Sequence, residues 1–482
     1  MIKKAIIIGS HPIADNLIKQ YENKGFVVER QQKLFVEGVA INDYDELCLL
    51  AGNGEDDKAI AMLAELAEVY DVEARGGKRL VCHLLLQKNE TLRMLQTCDL
   101  CDAVRQKIDV YPFTMDEVWS RSIKLDYEPI TTHSEKHVHL VVFGMGEIAE
   151  MITIQAALVA HYPNYLRNHS LRTRITMIDI QAKKKSEVFI KRYQHLFDNS
   201  YYRIVAPSEE KAVIAFHKPM YEGKREDFVD VEWEFVEAET WNIDVREKLR
   251  LWVKDDRQLM TLVMADQDKD KNAALALCLP NEVNERHIPI YIYGQQEAKY
   301  DVTLPLVRMA KNVNYIYGRC YSENIEDWQG TLRYSVEIDE KEREQSWANL
   351  SSVKRMSSIY NAMTIPTKMR SMGLNEEEWD KFYDIPQQDI DLLAQVEHNR
   401  WSVEELILGF RPCTDDEQTK IEADVATQKD AYKARKIHFD LRAYNDLRPD
   451  GTGKPVQVYD LCLSACLPLI AKAFADEKGG EA

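Results

Sequence analysis

The chain has 482 residues, enough for about three folded units at the usual domain size, with the 45% hydrophobic and 29% charged content of a globular protein. Its 80 acidic against 62 basic residues give a formal net charge of −18, which argues against sequence-independent binding to nucleic acid or an anionic membrane surface. No apolar run approaches the roughly 18 residues of a membrane span, and nine scattered cysteines fit a reducing compartment, so a cytoplasmic location is expected.

Residues 1–130 read as one α/β unit. Ala5–Gly9 is a short buried strand, Ile13–Tyr21 a helix, Phe26–Arg30 a second strand and Glu46–Ala51 a third. Lys58–Tyr70 has helical apolar spacing, and Arg79–Leu86 is strand-like again. Strands and helices alternating at this spacing predict a parallel sheet. Residues 131–335 repeat the pattern, with strands at Val138–Phe143, Arg174–Ile180, Val231–Val236, Leu259–Ala265 and Ile288–Tyr293, and helices at Glu147–His161 and Asn272–Leu279. Leu47–Ala59 resembles Thr261–Ala273 at a constant offset, each an apolar strand ending in Ala, an acidic loop and a helix, which suggests duplication.

From about Asp339 the strand signals stop. Arg343–Met363 and Ile390–Gly409 carry apolar residues at helical spacing, Asp415–Ala434 is a polar helix or loop, and Tyr459–Ala475 is an apolar helix with Pro468 inside it. Gly479-Gly480 and the last residues read as frayed. The segment divides into a helical connector, 336–384, and a mainly helical domain, 385–476.

Two glycine turns follow predicted strands and open predicted helices, the arrangement that lets a backbone approach a pyrophosphate at a helix N-terminus. Gly144-Met145-Gly146-Glu147-Ile148-Ala149 fits G-x-G-x-x-A. The acid expected to hold ribose hydroxyls is Asp179, followed by Ile180 at the end of the next strand, although it lies beyond the usual 20-residue spacing and requires an insertion, for which Tyr162–Arg172 is the candidate. Glu147 puts an unhelpful negative charge beside a phosphate. The alternative is a turn kept only for packing. The first turn, Gly9-Ser10-His11-Pro12, has one glycine and Glu29 at the proper distance; it reads as a degenerate site.

Both α/β segments resemble the Rossmann nucleotide-binding domains of Trk-type potassium-uptake regulators and RCK gating rings, with Asp266-Gln-Asp-Lys-Asp-Lys-Asn272 in place of their Asp-rich loop. That resemblance implies NAD(H) or another adenine nucleotide bound for regulation, and a homodimer through the α/β units. A second resemblance lies in Glu397-His398-Asn399-Arg400-Trp401, Gly409-Phe410, Lys436-Ile437-His438, Leu441, Tyr444, Leu447 and Asp460, a pattern similar to the RyR repeat of ryanodine receptors and bacterial single-copy proteins. Phe439 stands where that family usually has Pro. The resemblance implies a ligand- or protein-interaction module, in which His398, Arg400, Trp401, Lys436, His438 and Tyr444 would stack a base and clamp phosphates. The competing reading makes Trp401 core, His398 a structural histidine, and pairs Arg400 with Glu397 and Lys436 with Asp440.

No nucleophile–base set, P-loop or H-E-x-x-H is present. Cys98-x-x-Cys101 lacks a second pair, His133, His137 and His139 read as solvent-facing strand-entry residues, and Asp266, Asp268 and Asp270 lack the rest of a calcium loop, so neither a catalytic site nor a metal is predicted. The combined expectation is two Rossmann-like parallel-sheet units followed by a helical RyR-type domain, in a non-enzymatic sensor of a small-molecule nucleotide. An NAD(P)-dependent oxidoreductase and a protein-interaction scaffold with empty Rossmann units are the rivals.

Overall fold

The computed structural model describes residues 2–34, 38–206, 216–219, 227–322, 337–375, 378–450 and 453–471. They form two compact units: Met1–Ser122 with Glu297–Asn314 and Asp339–Ser358, and Ile123–Gln296 with Tyr315–Ile338 and Ile359–Ala482.

The first unit is built on β1 (Lys4–Gly9), β2 (Val27–Gln31), β3 (Glu46–Leu50), β4 (Leu80–Leu85) and β5 (Ile108–Phe113), all parallel in the order β2-β1-β3-β4-β5. This is the 2-1-3-4-5 doubly wound order rather than the 3-2-1-4-5 of a Rossmann sheet. Alternate residues of β1 serve opposite faces. Ala5 and Ile7 pack with Leu17 and Tyr21 of α1 (Ala14–Asn23), while Ile6 and Ile8 pack with Met62, Leu63 and Leu66 of α2 (Asp56–Val69). Three helices escape the sequence pattern: α3 (Asn89–Thr97), α4 (Asp102–Arg105) and α5 (Met115–Arg121). So does β5, because Pro112 interrupts its signal. Proline is tolerated there because β5 is an edge strand.

The second unit holds β6 (His137–Phe143), β7 (Thr173–Asp179), β8 (Tyr201–Val205), β9 (Val231–Glu237), β10 (Gln258–Met264) and β11 (Ile290–Ile292) in the order β11-β10-β6-β7-β9-β8, again parallel throughout. Without the edge strand β8, the order is that of a Rossmann sheet. Among the described residues, seven helices accompany it: α6 (Glu147–Val159), α7 (Asn164–Arg167), α8 (Ala182–Arg192), α9 (Gln194–Asn199), α10 (Ile243–Lys254), α11 (Lys269–Leu277) and α12 (Asn281–Glu285). Val245, Leu249, Leu275 and Val283 of α10, α11 and α12 cover one face. On the other, Trp233 and Phe235 of β9 meet Phe189 of α8 and Phe197 of α9 edge-on or tilted. The two segments that resemble each other occupy matching places: β3 and β10 each lie beside the glycine-turn strand, on the side away from the next strand in sequence.

The remaining helices are α13 (Pro305–Ser322), α14 (Glu340–Asn349), α15 (Ser352–Ser371), α16 (Gln387–Ile407), α17 (Asp415–Ala423), α18 (Val425–Lys433) and α19 (Gln457–Ala465). The single helix expected over Arg343–Met363 is two, separated at Leu350-Ser351. The polar stretch Asp415–Ala434 also splits, with Thr414 and Glu417 forming a reciprocal cap on α17 and Asp424 capping α18. Pro468 does not sit inside a continuous helix. The helix stops before Cys466 and resumes over 467–471, placing the proline in a new first turn, where its missing N–H costs nothing. The end of that predicted helix beyond Ala471, and Gly479-Gly480, lie outside the described residues. Helix α16 packs on α6, α7, α9 and α19, in one unit with the second sheet, whereas α14 and the start of α15, within Asp339–Ser358, belong to the first unit.

Candidate functional site

The turn after β6 sits at the switch point of the second sheet, where the chain leaves β6 for β7 on one side and β10 lies on the other. Gly144 is held there by its N–H donating to Ile178 O at 2.8 Å, at φ +114°. A Cβ on it would lie 3.1 Å from the Ala265 carbonyl oxygen, so the conformation calls for glycine and the space around it is tight. Gly146 caps α6 with no side chain over the helix end, and a Cβ there would meet only Gln267 Cγ at 4.0 Å. Its first-turn N–H groups are those a helix leaves without an internal acceptor.

Asp179 ends β7 despite its long spacing from Gly144, because α7 fills the insertion expected at Tyr162–Arg172. Its carboxylate closes onto the turn. Oδ2 accepts from Met145 N at 3.1 Å and from Lys185 Nζ at 2.6 Å, and Oδ1 accepts from Gln181 N at 2.8 Å. Ile180 points outward, whereas Ile148 is buried, so only its backbone faces the turn. Glu147 is exposed. Across the crevice, Asp266 pairs with Lys271, and its N–H donates to Asn272 Oδ1 at 2.9 Å. Burial pushes the Asp266 carboxyl up, but Lys271 and the Asp268 N–H outweigh it and hold its pKa below the ordinary value. Asp268 caps α11. The acidic loop is thus a helix entry and not a cation cage.

The first turn departs from its expected chemistry. Gly9 (φ +117°) is forced by the Leu50 carbonyl oxygen, 2.2 Å from where a Cβ would stand. His11 accepts from Ile13 N at 3.3 Å, and burial lowers its pKa. Ser10 is exposed. Glu29 is not at a strand end: it pairs in register with Ile6, mid-strand, and receives the Tyr44 hydroxyl at 2.8 Å. Register rather than spacing removes it from the turn.

In the helical segment the predicted residues separate into two groups. Arg400 is buried on α16, donating to Glu397 at 2.8 Å and Glu404 at 2.7 Å, while Lys368 of α15 reaches Glu397 at 2.6 Å. It is therefore an internal crosslink and no phosphate clamp. Burial alone would raise the Glu397 pKa; Arg400 and Lys368 pull it down to about 2. His398 has Nδ1 3.3 Å from Asp460 Oδ2 and Nε2 2.8 Å from the Arg442 carbonyl oxygen. Both nitrogens face acceptors, which favours the imidazolium. Burial works against it, but the Asp460 carboxylate prevails and the pKa rises.

The second group forms a half-open aromatic patch. Trp401 meets His438 edge-on at 4.9 Å, His438 meets Phe410 at 5.7 Å, and the Lys436 ammonium lies 4.1 Å from the Phe410 ring centre. The expected Lys436–Asp440 pair is made instead by Lys429, at 2.7 Å. His438 Nδ1 accepts from Asp440 N at 3.2 Å, so Nε2 carries the proton, buried and without a hydrogen-bond partner among the described residues. Glu405, one turn after Trp401, also has a buried oxygen without a partner among the described residues; burial, then the Glu404 charge, push its pKa up to about 7. Tyr444 lies 5.8 Å from His398. Sequence reasoning missed Lys185, Phe410 and Glu405 as site residues. The i, i+4 relation of Trp401 to Glu405 is the one local signal that could have found the last.

No group of three metal-ligating side chains occurs among the described residues. His139 is fully buried, between Gln258 and Thr176, not solvent-facing. Cys98 and Cys101 are exposed thiols, and Cys462 and Cys466 are buried. Among the described residues, no helix is long and apolar enough to cross a membrane.

No protein-family profile and no curated protein matches the chain. Among solved structures, NtrX from Brucella abortus in complex with ADP is similar at 12% identity over 90% of this chain and 99% of that one, with a TM-score of 0.15, too low to indicate a common fold.

Proposed function

We propose that this protein is a non-enzymatic sensor that binds an adenine nucleotide or dinucleotide at the switch-point crevice of its second sheet. The observation that carries this reading is the joined geometry of Gly144, Gly146 and Asp179: an unencumbered helix entry, a turn whose conformation calls for glycine, and an acid at the end of the next strand. Phosphates would lie against the backbone of 145–148, and ribose hydroxyls would compete for Asp179. Helix α6 gives the site a route outward. It starts at the turn and packs on α16, which carries His398, Arg400 and Trp401, and Gln155 of α6 reaches the Met363 sulfur of α15 at 3.4 Å. Regulation requires that the ligand prefer one arrangement of these helices. The RyR-like patch around Trp401 and His438 would then bind a ligand or a protein partner.

A second reading, an empty scaffold, is favoured by Asp179 itself, whose two oxygens are already engaged by Met145, Gln181 and Lys185. The test is thermal unfolding with NAD, NADH, NADP, ATP, ADP, ADP-ribose and cyclic nucleotides, on the wild type and on Gly146→Asp. A ligand at 100 times its Kd adds about 2.7 kcal/mol. Position 146 has room for a side chain, so the variant should fold while its carboxylate occupies the phosphate position. A shift lost in Gly146→Asp supports the crevice. A shift retained there but lost in Trp401→Ala moves the site to the aromatic patch, and no shift with any ligand leaves the scaffold.

A further inference from the structure

The first unit contains a cavity of about 700 Å³ at the amino-terminal edge of its sheet, opposite the carboxyl ends where doubly wound folds usually hold ligands. Its walls come from the entries to β1, β3, β4 and β5 and from α13 and α14. The volume is that of a small-molecule site.

Its charges are unlike those of the rest of this acidic chain. Three of the four lining carboxylates are ion-paired, Asp45 with Arg75 at 2.5 Å, Asp109 with Arg79 at 2.7 Å and Glu344 with Lys311 at 2.5 Å, and the fourth, Glu46, lies 3.3 Å from His83 Nε2. Arg355 adds a second guanidinium 3.7 Å from the Asp109 carboxylate. What remains are the ammonium groups of Lys3, Lys78 and Lys341, all lining the cavity, exposed, and with no ion-pair partner among the described residues. Lys3 is held with its ammonium 5.4 Å from the Phe26 ring centre. Three lysines from three separate parts of the chain line one concave space, alongside three ion-paired acids and Glu46.

We propose that this cavity binds a small molecule carrying a chain of two or three phosphates. Lysines act on phosphate as point charges, and the lining has six Lys or Arg against four Asp or Glu, an excess of two positive charges that suits a polyanion. The site is independent of the crevice reading and lies in the other compact unit.

The test is titration calorimetry on the full chain with inorganic pyrophosphate, tripolyphosphate and ATP, comparing wild type, Lys3→Ala/Lys78→Ala/Lys341→Ala and Gly146→Asp. All three lysines are exposed, so the triple variant should fold, which its melting temperature checks. Pyrophosphate or tripolyphosphate should bind the wild type, weaken as salt rises, and lose at least tenfold in affinity in the triple variant while Gly146→Asp binds as the wild type does. Tighter binding of ATP than of tripolyphosphate, lost with the lysines, would identify a nucleotide as the source of the phosphates; equal binding would identify the inorganic chain. No binding to the wild type, unchanged affinity in the triple variant, or loss in Gly146→Asp alone would overturn the proposal.

Discussion

The backbone N–H of Met145 donates to Oδ2 of Asp179 at 3.1 Å, joining residues 34 apart in the chain and fixing the glycine turn to the end of β7. The same carboxylate holds Lys185 and the N–H of Gln181. Asparagine at 179 would keep the size but offer one accepting oxygen to three donors. Asp179→Asn should therefore cost about 1–3 kcal/mol, the penalty for leaving buried polar groups unmatched. Urea denaturation would show it as a lower midpoint at unchanged slope. A midpoint equal to the wild type would mean that the carboxylate does not hold the turn.

The glycine positions predict an order of tolerance. Gly9→Ala places a Cβ 2.2 Å from Leu50 O at φ +117°, and Gly144→Ala places one 3.1 Å from Ala265 O at φ +114°. Gly146 has φ −91° and no neighbour closer than 4.0 Å. Strain at a left-handed φ costs about 1–3 kcal/mol, and Gly9→Ala adds a backbone collision that must shift β3. Gly146→Ala should stay within about 0.5 kcal/mol of the wild type. Melting temperatures of the three variants give the comparison, and a Gly146→Ala loss matching that of Gly144→Ala would contradict it.

The strand–turn–helix units were legible because apolar period and glycine placement are local. Ala5–Gly9, Val138–Phe143 and Leu259–Ala265 all lie within a residue or two of the observed strands. Strand order was not legible, since nothing local tells β3 to pair with β1 in the first sheet, or β9 to insert between β7 and β8 in the second. Arg400 shows how the site escaped. Both glutamates it binds lie within one turn in the sequence, but the burial that makes the pairing obligatory comes from the packing of α16, and Lys368 reaches Glu397 from 29 residues away. The lysine-lined cavity has no local signature, because its walls run from Lys3 to Ala348.

That buried network yields its own prediction. Arg400→Met would remove the guanidinium that bridges the buried carboxylates of Glu397 and Glu404, leaving Lys368 as the cation on Glu397; loss of one partner from a buried ion pair typically costs about 3–5 kcal/mol. Lys368→Met should cost less, because Arg400 remains to hold both glutamates. Equilibrium denaturation of both variants distinguishes this from a surface role. If Arg400→Met unfolds at the wild-type denaturant concentration, the crosslink contributes nothing. Arg400 is for the same reason a poor probe of ligand binding, since its loss should destabilise the helical segment with or without a ligand.

Protonation of His398 should make the helical segment depend on pH. Its ring donates to Asp460 and to the Arg442 carbonyl, and its folded pKa is raised above the ordinary 6.5. A raised pKa means that the folded state binds the proton more tightly, so stability from this group is complete below about pH 6.5 and fades as pH rises through the folded value. Burial raises the Asp460 pKa as well, and a raised carboxyl pKa carries the same sign. The stability gap between wild type and His398→Gln should thus be larger at pH 5.5 than at pH 8.5. Glutamine can still donate to the Arg442 carbonyl, so the gap isolates the charged contact with Asp460. Denaturation at the two pH values measures it; a gap that stays constant or widens toward pH 8.5 would show that the histidine is held neutral.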